Sequence, residues 1–174
     1  DEYISIASTP AEKANMAAMF GLYGAAYHLP VIEKVYALEK TCVLLPLLVN
    51  REMNKLEEHY LTPKLSKQPG SKAFYYSWTE ESVEVSDEQV LKALSFFEKA
   101  SGAETGQYKL LYAGTTAYLH FIAGNVEKAE KFLALAKSMP ASNAWKDQLQ
   151  LIDLLVQTNS IRNLDAAKEN KLLP

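Results

Sequence analysis

The polar residues of this chain that could do chemistry are densest between Arg51 and His59. The segment reads Arg-Glu-Met-Asn-Lys-Leu-Glu-Glu-His, and on a helix Glu52 and His59 lie on one face because seven residues separate them. A carboxylate and an imidazole on one face could exchange a proton or bind a metal ion. The spacing does not match the Glu-x-x-His or His-Glu-x-x-His patterns of helical metal sites. We therefore interpret the segment as a solvated helix face.

The other residues with chemical potential are three histidines and one cysteine. His28, His59 and His120 are far apart in sequence, and none lies near a nucleophile motif such as Gly-x-Ser-x-Gly. We interpret His120 as a core histidine and Cys42, which lies in an apolar run, as a buried small hydrophobe. The sequence also has no P-loop, no dinucleotide fingerprint and no calcium loop. We therefore expect no catalytic residue, no cofactor and no metal site.

Composition limits the class of protein. The 174 residues are 48% hydrophobic and 22% charged, as in an ordinary globular protein. The net charge of −3, from 18 basic and 21 acidic residues, offers no basic stripe, so we expect no nucleic-acid partner. No apolar stretch approaches the roughly 20 residues of a membrane helix, so we expect no membrane insertion by this segment. The chain has only seven glycines and seven prolines, and this low number favours long helices joined by short connections.

The first part of the chain, residues 1–63, reads as a group of helices. Thr9-Pro10-Ala11-Glu12 forms a capping box in pattern, and the helix over 9–28 is apolar on most sides, which predicts a central helix. Pro30 starts a second helix, and Pro46 marks the first turn of a third over about 45–60. Leu61-Thr62-Pro63 is expected to end the third helix.

Residues 64–86 differ from the rest in composition. Phe74, Tyr75, Tyr76 and Trp78 cluster after a Pro-Gly-Ser turn, and Val83-Glu84-Val85 alternates with period two. The pattern predicts a small β-hairpin or an extended loop that lies on the helices. Aromatic side chains favour interfaces, so Tyr75, Tyr76 and Trp78 are candidate partner-binding residues. The alternative is that they seal the loop against the helical core.

A repeated spacing organises residues 87–174. Ser86-Asp87-Glu88-Gln89 is a second capping box, and helices are predicted over 87–101, 107–123, 126–138 and 142–158. A small, a large and a small residue follow one another at intervals of four and three residues in Ala93, Phe97 and Ala100. The same spacing recurs 36 residues later in Ala129, Leu133 and Ala136. Two small residues on either side of a large one let a neighbouring helix approach closely. Recurrence at this period is typical of stacked helical hairpins.

The segment Tyr108–Pro140 resembles a tetratricopeptide repeat. Ala117 occupies the small position of the first helix, Gly124 the turn glycine, and Pro140 lies one residue early for the closing proline. The second helix carries the small–large–small positions, namely Ala129, Leu133 and Ala136. Two positions depart from the family, with Ala113 at the leading Trp and His120 at the usual Tyr of the first helix. The resemblance covers about residues 87–158.

The resemblance implies a surface for a partner. In this family the inner face of the first helix commonly lines a peptide groove, which makes Leu111, Tyr118 and Phe121 candidate partner-binding residues. Family members that bind a C-terminal carboxylate use Lys, Asn and Arg on that face. This chain has Gly114 and Thr115 there instead, so a carboxylate clamp is not supported. The alternative is that this face is buried against residues 1–60.

Together these patterns predict an all-α protein, an α-solenoid-like array of antiparallel helical hairpins in one helical domain over 1–174. It consists of N-terminal helices (1–63), an irregular or β-hairpin insertion (64–86) and tetratricopeptide-like hairpins (87–174). We expect a non-catalytic protein–protein interaction or scaffold module with a protein or peptide partner. The alternative is a small-ligand-binding protein or enzyme with a pocket between the N-terminal helices and the aromatic insertion. We expect a piece of a longer chain, and both the cytoplasm and the periplasm or cell envelope stay open.

Overall fold

The computed structural model describes residues 6–24, 26–67 and 85–160. All regular secondary structure in these residues is helical, which confirms the all-α fold class. The α-helices are α1 (Pro10–Tyr23), α2 (Leu29–Leu38), α3 (Leu45–Leu56), α4 (Thr62–Ser66), α5 (Asp87–Ala103), α6 (Gly106–Ile122), α7 (Val126–Lys137) and α8 (Asn143–Ser160). The predicted β-hairpin or extended loop lies outside the described residues in all but its two ends.

The chain divides into two compact units, residues 1–90 and 91–174, with the boundary inside α5. In the first unit, the helix starts follow the predicted signals. Thr9 Oγ1 accepts a hydrogen bond from the Glu12 N–H, and Glu12 Oε2 accepts one from the Thr9 N–H at 2.9 Å, so the capping box is present. Proline lies in the first turn of α1, α2 and α3, where its missing N–H costs no hydrogen bond.

Helix α1 packs through its smallest residues. Ala14, Ala17 and Ala18 are buried, and a Cβ added at Gly21 would lie 2.5 Å from Val31 Cγ2 and 3.0 Å from Leu48 Cδ1. Since such distances are shorter than real carbon–carbon contacts, glycine is what allows α1 to approach α2 and α3 here.

The prediction that α1 is central is wrong, because only one of its faces is covered. On the other side of the helix, Met19, Phe20 and Tyr23 are 64%, 55% and 93% exposed. The apolar residues of α1 fall into a small-residue face and a large-residue face, and it is the small-residue face that packs against the neighbouring helices. An apolar pattern all round a helix therefore did not indicate burial all round it.

The predicted end of α3 at residues 61–63 is also wrong, since a π-helical turn, Glu57–Leu61, leads into α4. The cause is Pro63, which has no N–H for the carbonyl of His59 four residues earlier and whose ring crowds that carbonyl. A wider π turn before the proline relieves this conflict and lets the helix continue. The His59 carbonyl then accepts the Val85 N–H at 3.3 Å.

The second unit is built on α6, α7 and α8. The α6–α7 connection turns at Gly124, whose φ of +77° favours glycine, and Asn125 then caps α7 by accepting the Lys128 N–H. The residues of the repeated spacing are all buried, namely Ala93, Phe97, Ala100, Ala129, Leu133 and Ala136. One core joins the three helices; α6 and α7 contribute two alanines and one leucine each, and α8 contributes larger residues, namely Leu110, Ala113, Ala117, Ala129, Leu133, Ala136, Leu149, Ile152 and Val156.

Candidate functional site

The candidate partner-binding residues fall into two groups in the structure. Tyr75, Tyr76 and Trp78 lie outside the described residues, and so does any pocket that they form with the N-terminal helices. Leu111 is buried in α6, whereas Tyr118 and Phe121 are half-buried and stack on each other with ring centroids 5.9 Å apart. Both rings also pack against the core that joins α6, α7 and α8. Their contact with a partner stays a prediction.

The segment Arg51–His59 is not the solvated face that its charges suggested. Glu52 has no exposed surface, and Lys55 and His59 are also buried, while Arg51 remains exposed. The interpretation as a solvated face is therefore wrong for three of its polar residues. They share the side of α3 that carries the buried leucines, so the helix places two opposite charges inside the first unit.

The buried pair is formed by Glu52 and Lys55, one turn apart on α3. Lys55 Nζ lies 2.5 Å from Glu52 Oε1 and also donates to the Ala26 carbonyl at 3.1 Å. Glu52 Oε2 accepts the N–H of His28, the residue just before the start of α2, at 2.7 Å. The pair thus fastens the connection between α1 and α2 to α3, and each charge is compensated by its partner and by the backbone.

Two further polar atoms lie buried in the first unit, Tyr27 Oη and His59 Nδ1. Neither has a hydrogen-bond partner among the described residues. Burial raises the pKa of the Tyr27 hydroxyl, and the negative charges of Glu52 and Glu33 raise it further. Tyr27 is therefore a neutral phenol at any physiological pH. Within the described ranges, no group of three or more His, Cys, Asp or Glu side chains is placed to hold a metal ion.

A polar cluster joins the two described flanks of residues 68–84. Asp87 Oδ1 accepts hydrogen bonds from Tyr60 Oη at 2.7 Å and from Lys64 Nζ at 2.9 Å. Lys64 Nζ also lies over the Tyr60 ring, 3.6 Å from its centroid. The hydrogen bonds from Lys64 and Tyr60 hold the pKa of Asp87 below its usual range. The chain therefore leaves α4 and enters α5 at neighbouring places, which the sequence did not indicate.

In the second unit, Glu98 of α5 connects α6 and α7. Its Oε1 lies 2.8 Å from His120 Nε2 and 3.3 Å from Lys128 Nζ, and the His120 ring stacks on Phe132. Burial lowers the pKa of His120, and this effect outweighs the attraction of Glu98. Burial alone would raise the pKa of Glu98, but the hydrogen bonds from His120 and Lys128 lower it overall. The neutral imidazole therefore donates from Nε2 to a charged carboxylate. This confirms that His120 is a core histidine.

This arrangement predicts acid sensitivity at His120. A lowered pKa means that the folded state takes up the proton less readily than the unfolded chain, so stability is lost as the pH falls below about 6.5. We expect the wild-type chain to lose more stability between about pH 7.5 and pH 5.5 than His120→Gln, which cannot titrate there. Urea unfolding at the two pH values measures this. Equal losses in the two proteins would contradict the prediction.

An exposed apolar surface of the first unit lies along α1 and α3. The Cys42 thiol donates to Asn15 Oδ1 at 3.3 Å, and Gly21 adjoins Leu48, so the two segments lie side by side. Along these segments, Met19 and Tyr23 of α1, Val43 just before α3 and Leu47 of α3 are each more than half exposed. The exposed charges of Glu12 and Arg51 lie at its two ends. We call this surface the α1–α3 face.

Comparison with known proteins does not assign the site. No family model matches the chain, and no curated protein and no solved structure matches it either. Among the described helices, none has the length and hydropathy required to cross a membrane.

Proposed function

We propose that this chain is a non-catalytic protein–protein interaction module whose C-terminal part is a tetratricopeptide-like stack of helical hairpins. The packing of α6, α7 and α8 supports the second part of the proposal, because the buried alanines that α6 and α7 place in the shared core allow the close approach that stacked hairpins need. The asymmetry of α1 supports the first part, and it is the observation that carries the proposal.

Helix α1 places its smallest residues inside and its largest apolar residues outside. Ala14, Ala17 and Ala18 are buried, while Met19 and Tyr23 are exposed. Folding alone would favour the reverse, because each large apolar side chain contributes roughly 1.5–3 kcal/mol when it is fully buried. A second molecule that covers Met19 and Tyr23 would recover this free energy. An outward large-residue face is therefore typical of a helix that completes its burial on binding.

The chemistry of the α1–α3 face suits protein recognition. Tyrosine and methionine are enriched in the cores of protein interfaces, and methionine adapts its shape to different partners. Tyr23, the most exposed of these residues, offers both a large ring and a hydroxyl to a partner. The ionised groups of the buried Glu52–Lys55 pair face each other and the backbone, which supports a packing role for them.

The proposal is tested by removing the apolar side chains without touching the fold. The variant Met19→Ser/Tyr23→Ser is compared with Leu151→Ser/Leu154→Ser, which removes two exposed apolar residues from α8. We expect wild type and the α8 variant to co-purify the same proteins from the native host, and the α1 variant to lose them. Circular dichroism and urea unfolding serve to show that both variants fold.

Two outcomes would contradict the proposal. One is that the α1 variant, folded to the same extent, retains every protein that wild type captures. The other is that wild type captures nothing above a control resin when partners are cross-linked before lysis.

A further inference from the structure

We propose that the α1–α3 face is a two-fold interface between two copies of this chain. This inference rests on the proposed function and names the partner for its surface. Three observations carry it: the direction in which α1 and α3 run, the charges at the ends of the face, and the apolar area between them.

Helix α1 and residues 42–48, which end in the first turn of α3, run side by side in the same direction. The hydrogen bond between Asn15 and Cys42 and the contact between Gly21 and Leu48 join positions that are both 27 residues apart (42−15 and 48−21). A constant offset means that the two segments advance together rather than cross or oppose each other. The rows at their outer edges, Met19–Tyr23 and Leu47–Arg51, therefore extend along a common axis.

The charges on this face are opposite at its two ends. Glu12 precedes Met19 by seven residues and Tyr23 by eleven, so it lies on their side of α1, near the start of the helix. Arg51 follows Leu47 by four residues, so it lies on the same side of α3, one turn further along. Both side chains are exposed. The face thus begins with a carboxylate and ends with a guanidinium.

Such a face is complementary to itself when it is turned by 180°. A two-fold axis that passes between Met19 and Leu47 brings the apolar centres of two copies together. It also places Glu12 of each copy opposite Arg51 of the other, which gives two equivalent ion pairs at the edges of the interface. The same operation keeps like charges apart, since the two Arg51 side chains lie at opposite ends. A parallel arrangement would instead bring like charges together.

The exposed apolar side chains supply more than half of the area that a dimer requires. Met19, Tyr23, Val43 and Leu47 expose on the order of 500 Å² of side chain, and a specific interface buries roughly 800 Å² on each copy. The apolar centre thus supplies most of the area, and the polar ends supply the remainder. An apolar centre with charges at the rim is the usual composition of an interface.

Sedimentation of the 174-residue chain over a range of concentrations tests the inference. We expect a concentration-dependent dimer for wild type, and a dissociation constant that rises about tenfold or more in Met19→Ser/Tyr23→Ser. The control Leu151→Ser/Leu154→Ser is expected to dimerise like wild type. Wild type that stays monomeric at millimolar concentration, or an α1 variant that dimerises equally well, would overturn the inference.

Two further variants test the two-fold geometry itself. Met19→Cys lies next to the proposed axis, so under mild oxidation it is expected to form a covalent dimer, whereas Leu151→Cys is not. Arg51→Glu places like charges opposite each other, so its dimer is expected to be weaker and to gain stability as salt is added. Equal cross-linking of both cysteine variants, or an unchanged Arg51→Glu dimer, would contradict the arrangement.

The dimer and the interaction function can fail separately. If wild type is monomeric but Met19→Ser/Tyr23→Ser still loses the proteins that wild type captures, the dimer is overturned and the proposed function stays intact. If wild type is monomeric and the same variant captures the same proteins as wild type, both the dimer and the proposed function are overturned.

Discussion

Replacement of Glu52 by alanine is expected to lower the free energy of unfolding by about 3–5 kcal/mol. The substitution leaves the Lys55 ammonium buried without its carboxylate, and it removes the acceptor of the His28 N–H. A buried charge without a partner carries a desolvation cost that the folded state cannot offset. Urea unfolding followed by circular dichroism measures the loss. Hydrogen exchange of the His28 amide should accelerate at the same time.

A double substitution separates the charge from the packing. In Glu52→Leu/Lys55→Met both charges are replaced by apolar side chains of similar volume, so most of the lost stability is expected to return. Asn54→Ala, at an exposed position on the same helix, should change stability by no more than about 0.5 kcal/mol. If Glu52→Ala and the double substitution were equally unstable, the loss would come from packing or from the bond to His28 rather than from the unpaired lysine.

The local signals in the sequence predicted where most helices begin. Thr9 with Glu12, and Ser86 with Gln89, form the two capping boxes as their spacing indicates. These signals are reliable because each satisfies N–H groups that a helix end leaves free, within four residues of sequence. The spacing of Ala93, Phe97 and Ala100 predicted a buried helix side for a similar reason. Periodicity within one helix fixes which residues share a side.

The buried pair and the π-helical turn could not be predicted in this way. Glu52 reads as a surface residue because its charge normally favours water, and its acceptor role depends on the backbone at residue 28, which is 24 positions away in sequence. The π turn at His59 depends on Pro63, which reads as a helix end unless a widened turn absorbs it. In both cases a contact distant in sequence, or a rare backbone form, decides the local structure.

The exposed side of α1 was missed for a related reason. Sequence periodicity identifies apolar residues but does not say which of two apolar sides meets the neighbouring helices. Gly21 decides this, since the absence of its side chain lets Val31 and Leu48 approach. The large residues Met19 and Tyr23 are then left outside, and the proposed interface follows from that choice. Helix α1 thus carries the proposed function, although its sequence did not show which of its sides would be buried.

Substitution of Phe97 by alanine is expected to cost about 3–5 kcal/mol of stability. Phe97 is fully buried and its ring packs against Tyr112, with the ring centroids 6.0 Å apart. Truncation removes most of a phenyl ring from the core and leaves a cavity, because Ala93 and Ala100 on either side are too small to fill it. Urea unfolding compares this variant with Leu91→Ala, whose side chain is 63% exposed and should contribute little.

The equivalent position of the second copy of the spacing gives the matched test. Leu133 lies between Ala129 and Ala136 as Phe97 lies between Ala93 and Ala100, and Leu133→Ala is expected to cost about 2–5 kcal/mol. If both substitutions are costly and Leu91→Ala is not, the spacing marks the same packing role in both helices. A small loss at Leu133 alongside a large one at Phe97 would mean that the two helices pack differently. The recurrence would then be a coincidence of composition, and the tetratricopeptide-like part of the proposed function would lose its support.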